Sequence, residues 1–174
     1  LRPAADRDWS PPAGSLGWSC RRTAEHLADC LLAYAGQLAV APADHWVAFR
    51  TGATDEASPA DVLEFVDASG RIMVAMLRGA PAELRAYLPD GTTDPEGMAA
   101  AGCVEALVHG YDIATGLGIR LAAPPDVCTR VLARWFRDVT VDGDPWQTLL
   151  WAMNRVDLPG RPRAGNQKMS IEPH

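Results

Sequence analysis

The sequence predicts an all-α fold: a four-helix bundle with an additional short C-terminal helix. Apolar residues recur at three- and four-residue spacing over long stretches, the period of a helix buried on one face. Several of these stretches open on a capping residue followed by proline: Ser58-Pro59, Asp94-Pro95 and Asp144-Pro145. Proline fits the first helical position because its missing N–H would be unpaired there anyway. No alternating apolar–polar run of useful length and no internal repeat is present.

The length of 174 residues suits one domain with its own core, residues 1–174. Residues 1–18 are rich in Pro, Gly and Trp and are expected to form an extended arm with at most one short turn, pinned by Asp8 and Trp9. Ser19 is a suitable N-cap, with Trp18 placed as an apolar staple before it. The first helix spans Cys20 to Ala41, with Ala24, Leu27, Leu31, Tyr34 and Leu38 on its buried stripe, and Pro42 stops it. His26 sits at the edge of that stripe, below Cys30 and Ala33. Residues 42–57 form a loop whose His45, Trp46, Phe49 and Arg50 are placed to cover something, with His45 left outside any site.

Ser58-Pro59-Ala60-Asp61 opens the second helix, which buries Val62, Phe65, Val66, Ile72, Met73, Met76 and Leu77 and ends near Gly79. Pro81 to Thr93 is a connection around PDGTT with one turn in AELRAYL. Asp94-Pro95 opens a third helix to about Thr115, with Gly116 just past its end. Small residues from Gly97 to Gly102 thin its first half and allow close helix approach. A fourth helix runs from Pro124-Pro125-Asp126 to about Asp138, with Val127, Val131, Leu132, Trp135 and Phe136 inward and Arg130, Arg134 and Arg137 solvated. The short fifth helix is WQTLLWAMN, and residues 159–174 read as a loose tail ending in a solvated His174.

A net charge of -6 and a pI near 5.1 argue against a nucleic-acid partner, since phosphate binding needs clustered Lys and Arg. No apolar run approaches the roughly 20 residues that span a bilayer. The opening residues carry no secretion signal, so a cytoplasmic location is expected. Cys20, Cys30, Cys103 and Cys128 form no CxxC pair and read as free thiols in a reducing compartment, without a histidine partner in sequence. A single lysine, abundant Ala and scarce Asn and Ile match a GC-rich bacterial genome.

No GxSxG elbow, P-loop or GxGxxG is present, which leaves metal chemistry. In CVEALVHGYDIATGLG, Glu105 and His109 are four residues apart, so they share a helix face with Cβ atoms roughly 5–6 Å apart. Asp112 lies on the same face. Such a pair holds a metal, forms a hydrogen-bonded couple in the core, or faces water. With His26 from the first helix, Glu105 and His109 supply two imidazoles and one carboxylate from facing helices. Three protein ligands leave one position open, as in catalytic zinc sites, and iron, nickel and manganese accept the same set. Each histidine is followed three residues later by an aspartate, Asp29 and Asp112. These either accept the second ring N–H of a ligating imidazole or lie on solvated helix edges.

WSCRRTAEHLADCLLAYAGQLA, followed far downstream by CVEALVHGYDIATGLG, resembles the N-terminal domain of mycothiol-dependent maleylpyruvate isomerases, in the DinB-like superfamily. The closing PWQTLLWAMNRVDLPGRPR is similar to the end of such domains. The resemblance implies a DinB-like four-helix bundle holding a divalent metal, usually zinc, on His26, Glu105 and His109. It also implies mycothiol as a low-molecular-weight thiol co-substrate and an actinobacterial source. Full-length isomerases carry a second domain that this sequence does not contain. The implied activity is therefore isomerisation or S-transfer on some other small electrophilic substrate. The alternative is a non-catalytic module that binds a metal or small ligand. A homodimer fits such bundles.

Overall fold

The computed structural model describes residues 1–89, 91–162 and 169–173. His174 and residues 163–168 of the expected tail lie outside the described residues. The helices are α1 (Cys20–Val40), α2 (Pro59–Gly79), α3 (Pro95–Gly116), α4 (Pro125–Trp135) and α5 (Pro145–Ala152). Their starts follow from capping chemistry. Ser19 accepts from the Arg22 N–H, and Ser58 and Asp61 form a reciprocal capping box. Asp94 accepts from the Gly97 N–H, and Asp144 from the Trp146 N–H. Each such cap contributes on the order of 1 kcal/mol.

The fold is a helical bundle in which α1 packs against α2 and α3, and α4 against α3 and α5. Its main core joins Leu27 and Leu31 of α1, Met73 of α2, Val104 and Val108 of α3, Leu132 of α4 and Leu149 of α5. The thin half of α3 has the expected use. A Cβ on Gly102 would come within 2.6 Å of the Met73 thioether, so the glycine leaves the space that this side chain of α2 fills.

Several features of the helices and their connections differ from the sequence expectation. A hairpin of β1 (Ala86–Leu88) and β2 (Gly91–Thr93) precedes α3, with Ala86 opposite Thr93 and Leu88 opposite Gly91. Three-residue strands are too short to show a period of two. Buried Ala86, Leu88 and Thr93 and a bond from the Tyr87 N–H to the Pro42 carbonyl hold the hairpin in place. Secondly, Ile72 is half exposed, while its neighbour Met73 is buried. Thirdly, α4 ends at Trp135, before Asp138, and Arg134 is buried rather than solvated. Its guanidinium donates to Asp94, to Thr93 and to the carbonyls of Ser170 and Ile171. The described end of the chain is therefore docked, with Ile171 buried and the Ser170 N–H on the Trp135 carbonyl. Finally, α3 runs through Gly116, and the left-handed residue is Gly118, at φ 64°.

The arm folds back over the ends of α1 and α3. It includes one short 3₁₀ turn at Arg2–Ala4. Trp9 is buried and donates to the Ala4 carbonyl, while Arg7 reaches the Leu117 carbonyl. Asp8 does not pin the arm as expected; it is exposed and accepts from Ser10. A Cβ on Gly116 would lie 2.3 Å from the Pro12 carbonyl oxygen and 2.6 Å from Cys20 Sγ, which is how closely the arm seats on α3. No helix among the described residues is long and apolar enough to cross a membrane.

Candidate metal centre

Residues four apart on one helix share a face. His26, Cys30 and Tyr34 follow that spacing on α1, and Glu105 and His109 on α3, with Asp112 three further on. Packing of α1 on α3 brings the two rows together. Tyr34 Oη donates to Glu105 Oε1 at 3.0 Å, and the His26 and His109 rings meet edge to face with centroids 5.2 Å apart.

The polar groups form a chain. His109 Nε2 lies 3.1 Å from Glu105 Oε2, and its Nδ1 lies 3.3 Å from Asp112 Oδ2. Arg155, just past α5, donates from Nη2 to Asp112 Oδ2 at 2.9 Å and from Nε to Asp112 Oδ1 at 3.1 Å. Asp112 is buried, so a paired guanidinium is what makes its charge tenable there. Gly14 of the arm leaves room for it: a Cβ there would sit 3.3 Å from Asp112 Oδ1.

The protonation states follow from these contacts. Burial disfavours the His109 cation, yet bonds to Asp112 and Glu105 outweigh it and push the imidazole up to about 9. Without a metal, His109 is an imidazolium between two carboxylates. Burial would raise Glu105, but bonds from His109 and Tyr34 hold it below the ordinary carboxylate range. Asp112 is likewise held down by His109 and Arg155 against its own burial. Burial also lowers His26, although Glu105 pulls the other way, so its ring is neutral and offers a lone pair. Burial and the Glu105 charge keep Cys30 a thiol.

All three residues singled out as ligands, His26, Glu105 and His109, thus lie at the α1–α3 contact. The most compact donor set among the described residues is a different triple: His26, Cys30 and Glu105 offer ligand atoms all within 4.8 Å of one another. Cys30 Sγ is 3.5 Å from His26 Nε2, which corrects the reading that no cysteine has a histidine partner. The i,i+4 spacing of His26 and Cys30 was the signal for it. Imidazole, carboxylate and thiol together suit a borderline divalent cation such as zinc better than a hard one. Asp112 stands against His109 as the spacing suggests. Asp29 does not bond His26; it accepts from the Thr51 N–H and hydroxyl and ties the loop to α1. Arg155 had no sequence signal, since it lies alone on a turn.

The 42–57 loop builds the approach. A cleft of about 590 Å³ is lined by Cys30, Tyr34, Trp46, Phe49, Arg50 and Pro89. A second, more polar opening of about 300 Å³ is lined by Trp18, Arg22, His26, Asp29 and Arg50. Trp18 is no staple. It is exposed, lies edge-on to the His26 ring at 5.0 Å, and carries the Arg22 guanidinium over its face. His45 faces solvent beside Asp44, outside the centre.

A family model described as the mycothiol maleylpyruvate isomerase N-terminal domain matches residues 1–114. That span takes in α1, the loop, α2, the hairpin, and α3 through Asp112. No curated protein and no solved structure matches the chain.

Proposed function

Because the chain belongs to the mycothiol maleylpyruvate isomerase N-terminal domain family, a DinB-like family, we propose that it is a metal-dependent enzyme. It uses a low-molecular-weight thiol, mycothiol, to isomerise a small electrophile or to form a thiol conjugate with it. The observation that carries this reading is the meeting of His26, Glu105 and His109 at the α1–α3 contact, with Asp112 and Arg155 behind His109 and the neighbouring Cys30 and Tyr34 lining an open cleft.

His26, Glu105 and His109 are the residues that hold the ion, zinc first. When bound, such an ion lowers the pKa of a thiol and supplies a thiolate at neutral pH. The chain's own groups prepare that state. Asp112 accepts from His109 Nδ1 and so aims Nε2 at Glu105, and Arg155 fixes Asp112. Tyr34 donates to Glu105 Oε1, so Oε2, which faces His109 Nε2, is the oxygen left to ligate once the His109 proton is gone. Trp46, Phe49 and Pro89 give the cleft apolar walls, while Arg50, shared with the second opening, brings a cation to it for an anionic substrate group. The cleft volume falls in the range of small-molecule sites, about 300–1,000 Å³. A thiolate that adds to a conjugated double bond leaves a single bond free to rotate. Expulsion of the thiolate then gives the isomer with no net proton change, and retention with a proton taken up at carbon gives the conjugate.

A non-catalytic, closed metal module is the second reading, favoured by the extra donor at Cys30. A thermal-shift series on the zinc-loaded chain with mycothiol and glutathione separates them. A ligand at a hundredfold excess over its Kd stabilises the native state by about 2.7 kcal/mol. Stabilisation by mycothiol supports the thiol enzyme. No shift with either thiol removes the thiol from the account and leaves the closed module.

A further inference from the structure

Resting on the metal reading above, we propose that Cys30 supplies a fourth ligand to the same ion and is displaced by the external thiol. The evidence is positional. His26 and Cys30 leave one face of α1, and Cys30 Sγ stands 3.5 Å from His26 Nε2. Nitrogen and sulfur bound to one tetrahedral zinc at ordinary bond lengths are roughly 3.6 Å apart. Glu105 completes a triple within 4.8 Å, so the thiol sits where a ligand belongs with little movement. The other three cysteines serve elsewhere: Cys20 Sγ lies against the Ile113 carbonyl, Cys128 is buried in the main core, and Cys103 packs against that core.

Cys30 also lines the cleft beside Tyr34 and Trp46, the route by which a small thiol arrives. Two sulfurs then compete for one position. Their exchange is redox-neutral: the bond from the ion to Cys30 Sγ breaks, one to the external sulfur forms, and the external S–H proton passes to Cys30. Four protein ligands in the resting chain keep water off the ion, and the position opens only to another thiol. Cys30 thus acts as a placeholder that makes the site selective for sulfur over oxygen donors.

The test is the absorption spectrum of the full chain loaded with cobalt(II). The expected parent spectrum shows a near-ultraviolet thiolate-to-cobalt band at about one cobalt per chain. The band is lost in Cys30→Ser and in Cys30→Ala, and kept in Cys103→Ser. Mycothiol titrated into cobalt-loaded Cys30→Ser restores a thiolate band. It does so at roughly tenfold lower concentration than it perturbs the parent, because a tethered thiolate competes at high effective concentration. Stoichiometric cobalt without the band in the parent, or a band that survives both Cys30 variants, overturns the assignment and leaves the three-ligand centre standing. Equal mycothiol concentrations for parent and variant, or no band restored, overturn the exchange. A parent that takes up no cobalt overturns both this inference and the reading it rests on.

Discussion

Replacing Arg155 with methionine isolates the buried charge that backs the centre. The Asp112 side chain is 1% exposed and receives three bonds from Arg155, at 2.9, 3.1 and 3.3 Å. Deleting one partner of a buried ion pair costs about 3–5 kcal/mol, because the other charge is stranded. Two features place the loss at the lower end. The Arg155 side chain is 16% exposed, and His109 stays within 3.3 Å of Asp112. About 3 kcal/mol is therefore expected. For a chain of this size that is a fall in Tm of roughly 6–12 °C. The assay is urea unfolding of the metal-free parent and Arg155→Met at pH 7, with thermal melts in parallel. The pH dependence has a fixed sign. Asp112 is held below its unfolded value, near 3.9, so the stabilisation is complete above that value and is lost as pH falls through the lower folded one. The gap between parent and variant is expected to narrow in acid. A loss under about 1 kcal/mol at pH 7 would refute the picture of Asp112 as a buried anion held by Arg155.

Further outcomes follow from neighbouring contacts. Gly116→Ala drives a Cβ into the Pro12 carbonyl and Cys20 Sγ; a cost of about 1–3 kcal/mol and faster proteolysis of residues 1–18 are expected, and an unchanged cleavage rate would count against the docked arm. Metal binding must displace the proton that His109 holds up to about 9, so calorimetry in buffers of different ionisation enthalpy should register proton release at pH 7.5, with affinity rising toward pH 9. A pH-independent affinity would remove His109 from the ligands. Tyr34→Phe leaves Glu105 Oε1 without its donor and is expected to weaken metal binding about tenfold in a chelator competition, consistent with a lost bond to a charged group of about 1.5–3 kcal/mol.

Much of this was legible because the signals were local. Ser19, Ser58, Asp94 and Asp144 announce helix starts through chemistry confined to one turn, and all four cap as expected. The faces of α1 and α3 were readable for the same reason: four-residue spacing places His26 near the stripe and stacks Glu105 on His109. What escaped depends on distant packing. Arg134 shares the spacing of a solvated face, yet Asp94 and the end of the chain close over it. Arg155 reaches Asp112 from 43 residues away, on a turn with no periodicity. The 86–93 hairpin has too few residues to alternate. Asp29 had the right spacing from His26, but the loop claimed it first through Thr51. The Cys30–His26 pair has the i,i+4 spacing of a site, but a cysteine on a helix is more commonly an inert core filler, so the spacing alone does not distinguish it.

The most direct measurement is metal content and affinity of the parent against His26→Ala, Glu105→Ala and His109→Ala, by elemental analysis and chelator competition. About one divalent ion per chain is expected in the parent, with each variant losing it to the chelator under conditions where the parent holds it. A His109→Ala chain that binds as tightly as the parent would contradict the assignment of the centre.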